Sequence, residues 1–286
     1  MARMSQTLLR HIAACNNLPS PAGLLPFRLG DAQVGWMAPE AARALTFHPE
    51  LAHFDGGGVT LPARYRTPAA RSEALARLAA CLAERGFGRL RGEMFDVRAE
   101  AEGPVLATLD RGAVPAFGVI GQGVHLNGLV RRADGLHVWV GIRARDKAVA
   151  PGQLDNLVAG GIPAGLDPET TLLKEAGEEA SLPESLARQA RRVGRISYVL
   201  VNAEGLRRDV LHCFDLDLPE DFTPRPNDDE VERFELWPAA RLLEAVRHAD
   251  SVKFNVNLVL IDLFLREGMV AGEEAAALRA GLQQGP

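Results

Sequence analysis

Between Ala159 and Pro183 the chain reads AGGIPAGLDPETTLLKEAGEEASLP, a stretch that admits few conformations. Gly160, Gly161 and Gly165 allow a sharp loop whose backbone can come close to a neighbour or a substrate. Asp167 is a natural helix N-cap and Pro168 suits the first helical position, so the pattern predicts a helix from Asp167 to about Ala180. Leu172, Leu173 and Ala176 give that helix an apolar side. Ser181 and Glu184 fit a capping box for a second helix over about 183–193, with Pro183 in its first turn.

Glu175, Glu178 and Glu179 lie at i, i+3 and i+4 and share one helical face. Like charges so placed repel by roughly a few tenths of a kcal/mol per pair when solvated. They also sit toward the helix C-terminus, where the macrodipole disfavours anions. A divalent cation reverses both penalties. Mg²⁺ favours a few carboxylates together with water and phosphate oxygens, so the patch suits a metal site for phosphoryl chemistry. A plain solvated acidic face is the competing reading of the three residues taken alone.

The rest of the chain divides by texture. With 286 residues it is long for one domain and comfortable for two. We read 1–112 as a small α+β unit. It contains a helix over 4–16, another from Pro39 to Leu45, a third over 68–86 stopped by Gly86, and strands at 95–98 and 105–109. From 113 to 286 the pattern changes. Phe117 to Val130 is glycine-rich and apolar, Asp134-Gly135 marks a hairpin, and Leu136 to Ile142 alternates as the return strand. Residues 157–162 read as an apolar loop. Strands follow near 195–202, 208–216 and 231–237, and helices at about 238–249, 254–267 and 271–283. The order implies an α/β (α+β) chain: an α/β/α sandwich with a mixed sheet after the N-terminal unit.

Composition narrows the classes further. A net charge of −5 gives no basic excess for nucleic acid. No apolar run reaches the ~18 residues of a membrane span. Cys15, Cys81 and Cys213 are widely spaced, as expected for reduced, buried thiols of a cytoplasmic protein. The first residues, broken by Arg10 and His11, fit an amphipathic helix better than a signal peptide. No nucleophile-elbow pattern and no G-x-x-x-x-G-K-[ST] loop is present.

Residues 160–182 resemble the Nudix box, G-x5-E-x7-R-E-U-x-E-E-x-G-U with U aliphatic. Gly160 takes the first glycine, Glu175, Glu178 and Glu179 the later glutamates, and Leu182 the last aliphatic. Leu166 replaces the first glutamate, Lys174 the arginine and Ser181 the final glycine. Asp167 or Glu169 are candidates to stand in for the missing glutamate. GVHLNGLV, LDNLVAGGIPAG, LPEDFTPRPNDDEVERFEL and VKFNVNLVLIDLFLREG extend the resemblance to a subfamily described as thiamin pyrophosphokinase-related. Its N-terminal domain is matched by LRGEMFDV and the RSEALARLAACL helix.

The resemblance implies a Nudix sandwich, Mg²⁺ or Mn²⁺ as cofactor held by Glu175, Glu178 and Glu179, and a small diphosphate substrate. The substrate it suggests is thiamin diphosphate or its oxy and oxo forms, cleaved to the monophosphate. Glu178, Glu179 and Glu230 are then the candidate catalytic groups, with Glu232 as the alternative to Glu230. Arg143, Arg145 and Lys147 could meet a phosphate or simply end a strand in solvent, and Gly160 and Gly161 would bring backbone to the substrate. His125 and Asn127 alternate on one strand. Asp155 and Asn156 shape the loop before the box, and Phe254 and Trp237 read as core. A homodimer is left open. Two other readings also stay open: a module that binds a diphosphate or a protein without turnover, and a hydrolase of nucleotide sugars or dinucleotides.

Overall fold

The computed structural model describes residues 8–147 and 149–283. The expected helix over 4–16 therefore falls partly outside them, at 4–7. Its described part is α1 (Leu9–Cys15). The N-terminal unit then runs β1 (Leu25–Leu29), β2 (Ala32–Met37), α2 (Pro39–Ala44), β3 (His53–Phe54), β4 (Val59–Leu61), α3 (Pro68–Glu84), β5 (Met94–Val97), β6 (Ala107–Asp110) and α4 (Val114–Phe117). Its sheet has the order β2-β1-β4-β3, and β5 and β6 form a separate ribbon. α3 begins where Thr67 Oγ1 accepts from the Ala70 N–H at 3.2 Å, ahead of Pro68. It ends at Gly86, whose φ of +85° is a left-handed stop. Leu75, Leu78 and Leu82 of its apolar stripe are buried against Phe27, Leu29 and Phe117, each burial worth about 1.5–3 kcal/mol.

The second unit holds β7 (Ile120–Arg132), β8 (Gly135–Arg143), β9 (Leu154–Asp155), β10 (Val158–Gly161), α5 (Pro168–Ala180), α6 (Glu184–Ala187), β11 (Arg191–Asn202), β12 (Gly205–Asp217), β13 (Val231–Pro238), α7 (Ala239–His248), α8 (Val256–Arg266) and α9 (Gly272–Leu282). Its seven-stranded sheet follows β11-β12-β7-β8-β13, with β10 on β7 and β9 on β8. The sheet is mixed: β12 and β7 run parallel and the other neighbours antiparallel. The hairpin expected at Asp134-Gly135 forms one residue earlier: Ala133 and Asp134 make the turn and Gly135 opens β8 opposite Arg132. α5 covers one face, packing Leu172 and Ala176 on Val124, Leu126 and Phe214. α7, α8 and α9 cover the other, over Val138, Val140 and Leu211. This is the expected α/β/α sandwich.

Four local expectations change. First, α1 does not belong to the N-terminal unit's core. Leu8, Ile12 and Cys15 pack with α8 and α9, while the N-terminal core runs from Phe27 to Val119. An amphipathic helix goes to whichever apolar face lacks a cover, and here that face lies near the other end of the chain, on α8 and α9. Second, the helix over 183–193 is only α6. From Arg191 the chain pairs with β12 along its length, and Gln189, Arg191 and Arg192 offer no apolar helical face to compete.

Third, Ser181 caps no following helix. It ends α5 with φ +51° and ψ +34°, and α6 has no side-chain cap. The left-handed turn sends Leu182 back to bury on α5, a conformation costing a non-glycine residue roughly 1 kcal/mol. Fourth, 157–162 is not a loop: Val158–Gly161 forms β10 against Gly123–Leu126 of β7. No helix of the described residues is long and apolar enough to cross a membrane.

The N-terminal unit grips the segment between β10 and α5. Ala164 N–H donates to the Met94 carbonyl at 2.7 Å and Gly165 N–H to Asp96 Oδ1 at 3.3 Å. The Phe95 ring lies on Gly161 so closely that a Cβ there would sit 2.4 Å from Phe95 Cζ.

Candidate active site

α5 is set as its sequence dictates. Asp167 Oδ1 accepts from the Thr170 N–H at 2.6 Å, and this backbone bond holds the Asp167 carboxyl below its usual range. Glu169 is 3.6 Å from the Arg192 guanidinium. Both candidate replacements for the glutamate absent at Leu166 are thus occupied, one as a cap and one in an ion pair. Leu166 itself packs beside the core under α5.

The three glutamates share a column but not an environment. Glu179 points inward and is buried, accepting from the Ala159 N–H at 3.0 Å. Burial pushes its carboxyl up to about 8, with the backbone bond opposing and the charges of Asp155, Glu230 and Glu175 adding to the rise. Glu175 stands at the rim, its side chain 15% exposed. Its carboxyl overlies Gly160, where a Cβ would come 2.6 Å from Glu175 Cδ. Burial raises its pKa too, against the pull of Lys174. Glu178 turns outward, 53% exposed, and Lys174 Nζ sits 2.7 Å from Glu178 and 3.2 Å from Glu175.

β10 carries these contacts to the edge of a cleft of about 850 Å³ between the two units. Ala159, Gly160 and Gly161 line it, as do Arg143, Lys147 and Glu230. Arg145 and Glu232 do not. They lie outside, 3.9 Å from each other, with the Arg145 side chain 85% exposed. Lys147 faces the cleft. Arg143 is buried and held by Asp155 Oδ2 at 2.8 Å, with Glu230 at 3.7 Å. Glu175 and Glu179 border the cleft through β10 without lining it, and Glu178 does neither. A smaller cavity of about 320 Å³, on the Asp167 side of Phe95, holds none of them.

Several cleft residues carried no signal in sequence. Arg89, Arg91 and Arg111 bring positive charge from the N-terminal unit, and Arg207 and Lys253 from the sandwich. Lys253 Nζ lies 2.9 Å from Asp155 Oδ2, so Asp155 is clamped by two cations. Burial alone would raise the Asp155 carboxyl, but Lys253 and Arg143 outweigh it and the net shift is downward. A long polar side chain in a nonlocal pair leaves no periodic mark. Phe254, expected as core, stands on the cleft wall, edge-on to Tyr198 with the Arg207 guanidinium 5.9 Å from its ring centre. Trp237 is partly buried against the main core under Arg241. His125 lines the cleft and Asn127 is buried beneath it. Cys15, Cys81 and Cys213 are free and buried.

Among the described residues no three His, Cys, Asp or Glu side chains converge as a ready metal-holding group. The donor set nonetheless fits a hard cation. Glu175 and Glu179 are desolvated carboxyls one helical turn apart with raised pKa values, and among the described residues Lys174 is the one positive group that contacts the triplet.

Comparison with known proteins agrees with this architecture. Residues 123–256 match the NUDIX domain family, and residues 7–121 match a family described as a domain of unknown function, DUF4743. "Nudix hydrolase 20, chloroplastic" of Arabidopsis thaliana is 35% identical over 278 residues, 93% of this chain and 74% of that protein. "Nudix hydrolase 24, chloroplastic" of the same plant is 34% identical over 274 residues, 94% of this chain and 75% of that protein. The crystal structure of DR0079 from Deinococcus radiodurans is 19% identical, covering 67% of this chain and all of that one with a TM-score of 0.44. The similarity to the two plant proteins runs through the N-terminal unit and the sandwich alike, and the chain therefore belongs to the Nudix hydrolase family, enzymes that cleave diphosphate bonds.

Proposed function

We propose that the chain hydrolyses the diphosphate of a small organic diphosphate to its monophosphate, with Mg²⁺ or Mn²⁺ held by Glu175 and Glu179. The observation that carries this is the pair of desolvated carboxyls pressed against β10, the strand that forms the edge of the cleft: buried Glu179, with no cationic side chain on it among the described residues, and half-buried Glu175 beside Lys174. A bound divalent cation supplies Lewis-acid charge to the diphosphate oxygens and acidifies a water. Glu178, which now pairs with Lys174, would be the third carboxylate to hold the cation. Lys174 would then be available to neutralise a phosphate, as a point charge and not as a bidentate fork. Glu230, on the cleft wall, takes the proton of the attacking water. Lys147 and the arginines 89, 91 and 111 bind the phosphates. Gly160 and Gly161 bring bare backbone to the substrate, and any side chain there would strike Glu175 or Phe95.

For the organic half, the motifs around the box support thiamin diphosphate or its oxidised analogues. The test is phosphate release from thiamin diphosphate, and from oxythiamin diphosphate beside it, with Mg²⁺, comparing the full chain with Glu178→Gln. Turnover by the first and its loss in the second is expected. A panel in which nucleotide sugars or dinucleotides far outrank thiamin compounds would overturn the substrate.

One observation favours a second reading. Lys174 already places a positive charge on Glu175 and Glu178, as a module that binds a diphosphate without metal would require. Tight binding with no turnover of any diphosphate would establish it. We place the protein in the cytoplasm as a single-chain hydrolase, with a homodimer as the alternative.

A further inference from the structure

A run of buried polar side chains crosses the middle of the sheet and ends in the cleft. Arg266 donates to both oxygens of Asp215, with Nη2 3.1 Å from Oδ1. Asp215 Oδ1 lies 2.9 Å from Asn127 Nδ2, Asn127 Oδ1 lies 2.8 Å from Asn156 Nδ2, and Asn156 Oδ1 lies 2.8 Å from His125 Nδ1. Asp215, Asn127, Asn156 and His125 are all buried. Each link has only one sense. A guanidinium can only donate, so the carboxylate accepts. Asn127 must then turn its amide N–H₂ to Asp215 and its carbonyl to Asn156. Asn156 must turn its own N–H₂ to Asn127 and its carbonyl to His125. The His125 proton is thereby forced onto Nδ1, and Nε2 keeps a lone pair.

Nε2 has no hydrogen-bond partner among the described residues, and His125 lines the cleft. The same wall carries Phe254 and Asn255, whose Oδ1 also lacks a partner among the described residues. We infer that His125 is a fixed hydrogen-bond acceptor of the cleft, oriented by the chain from Arg266, and that with Phe254 it receives an amino-bearing aromatic ring on the organic half of the substrate. Burial, reinforced by Lys253, lowers the His125 pKa to about 4, so the ring stays neutral at physiological pH. A ligand N–H that displaces water from this cleft-facing lone pair replaces the hydrogen bond it removes. A ring that presents an acceptor or a methyl group there covers the lone pair and leaves it without a donor, and discrimination of this kind can be large.

The inference rests on the cleft being the substrate site, but its test needs no turnover. The full chain, ¹⁵N-labelled at histidine, is read by long-range ¹H–¹⁵N correlation. His125 is assigned from the signal missing in His125→Gln or, should that variant not fold, from through-space contacts to the Asn156 amide. The expected result is a protonated Nδ1 and a lone-pair Nε2. Titration with 4-aminopyrimidine should move Nε2 toward the protonated range, and 4-methylpyrimidine, its isostere without the donor, should not. A protonated Nε2 in the free protein overturns the orientation. Equal shifts with both rings, or none with either, overturn the subsite. A failed hydrolase assay with a positive titration would count against the reaction and not against this subsite.

Discussion

Two buried carboxyls, Asp155 in β9 and Glu179 against β10, have opposite fates. Asp155 has Arg143 and Lys253 within 2.9 Å and its pKa is held down. Glu179 has one backbone N–H, and its pKa climbs to about 8. Both suffer the same desolvation. The protein supplies the counter-charge for one and withholds it from the other. A satisfied carboxylate fixes structure, here by tying β8, β9 and the segment before α8 together. An unsatisfied one stores affinity for a cation. The difference separates scaffold from site more sharply than burial or sequence motif does.

Substitution should separate the two residues. Glu179→Gln is expected to lower kcat for diphosphate hydrolysis by roughly 10³-fold, the several kcal/mol that a bound cation contributes to the transition state. Its folding should be intact by circular dichroism. Asp155→Asn should instead destabilise the fold by about 3–5 kcal/mol in urea unfolding, because buried Arg143 and half-buried Lys253 lose their shared partner. A Glu179→Gln variant that unfolds, or an Asp155→Asn variant as stable as the parent, would erase the contrast.

The same pair predicts opposite slopes of stability with pH. Glu179 has a folded pKa above its unfolded value near 4.5. In EDTA its contribution is therefore full below that value and is lost as pH rises toward about 8. Asp155 has a folded pKa below its unfolded value. Its contribution is full above the ordinary carboxyl range and is lost as pH falls through the folded pKa. Urea midpoints from pH 4 to 9 should show Glu179→Gln flattening the alkaline decline, a difference on the order of a few kcal/mol by pH 9. Gly161→Ala should cost about 1–3 kcal/mol, since its Cβ would meet the Phe95 ring. The smallest effect is Ser181→Gly, which should raise stability by about 0.4–1 kcal/mol by relieving the left-handed turn.

Local signals were legible in the sequence. The Asp167 cap, the span of α5, the Asp134-Gly135 hairpin and the Gly86 stop each follow from a residue and its immediate neighbours. What escaped was nonlocal. β10 is two glycines, an alanine and a valine, a strand only because β7 pairs with it. α1 chose its partner across the chain. Helical spacing put Glu175, Glu178 and Glu179 on one face, but not that Glu179 would point under β10 while Glu178 met Lys174. Lys253 and Asp155 are 98 positions apart, and only the folded chain shows that Arg143 is already engaged there. The replaced box positions acquire meanings of their own: Ser181 sits in the conformation that glycine favours, and Lys174 touches two of the three glutamates.

The central claim is that the Glu175–Glu179 pair awaits a cation. Because Glu179 is mostly protonated at neutral pH, cation binding must expel its proton. Calorimetric titration of the full chain with Mn²⁺ at pH 7, in two buffers of different ionisation enthalpy, counts that proton. The account predicts release of about one proton per cation bound, vanishing near pH 9, with binding greatly weakened in Glu179→Gln. Binding without proton release, or binding untouched by Glu179→Gln, would contradict it.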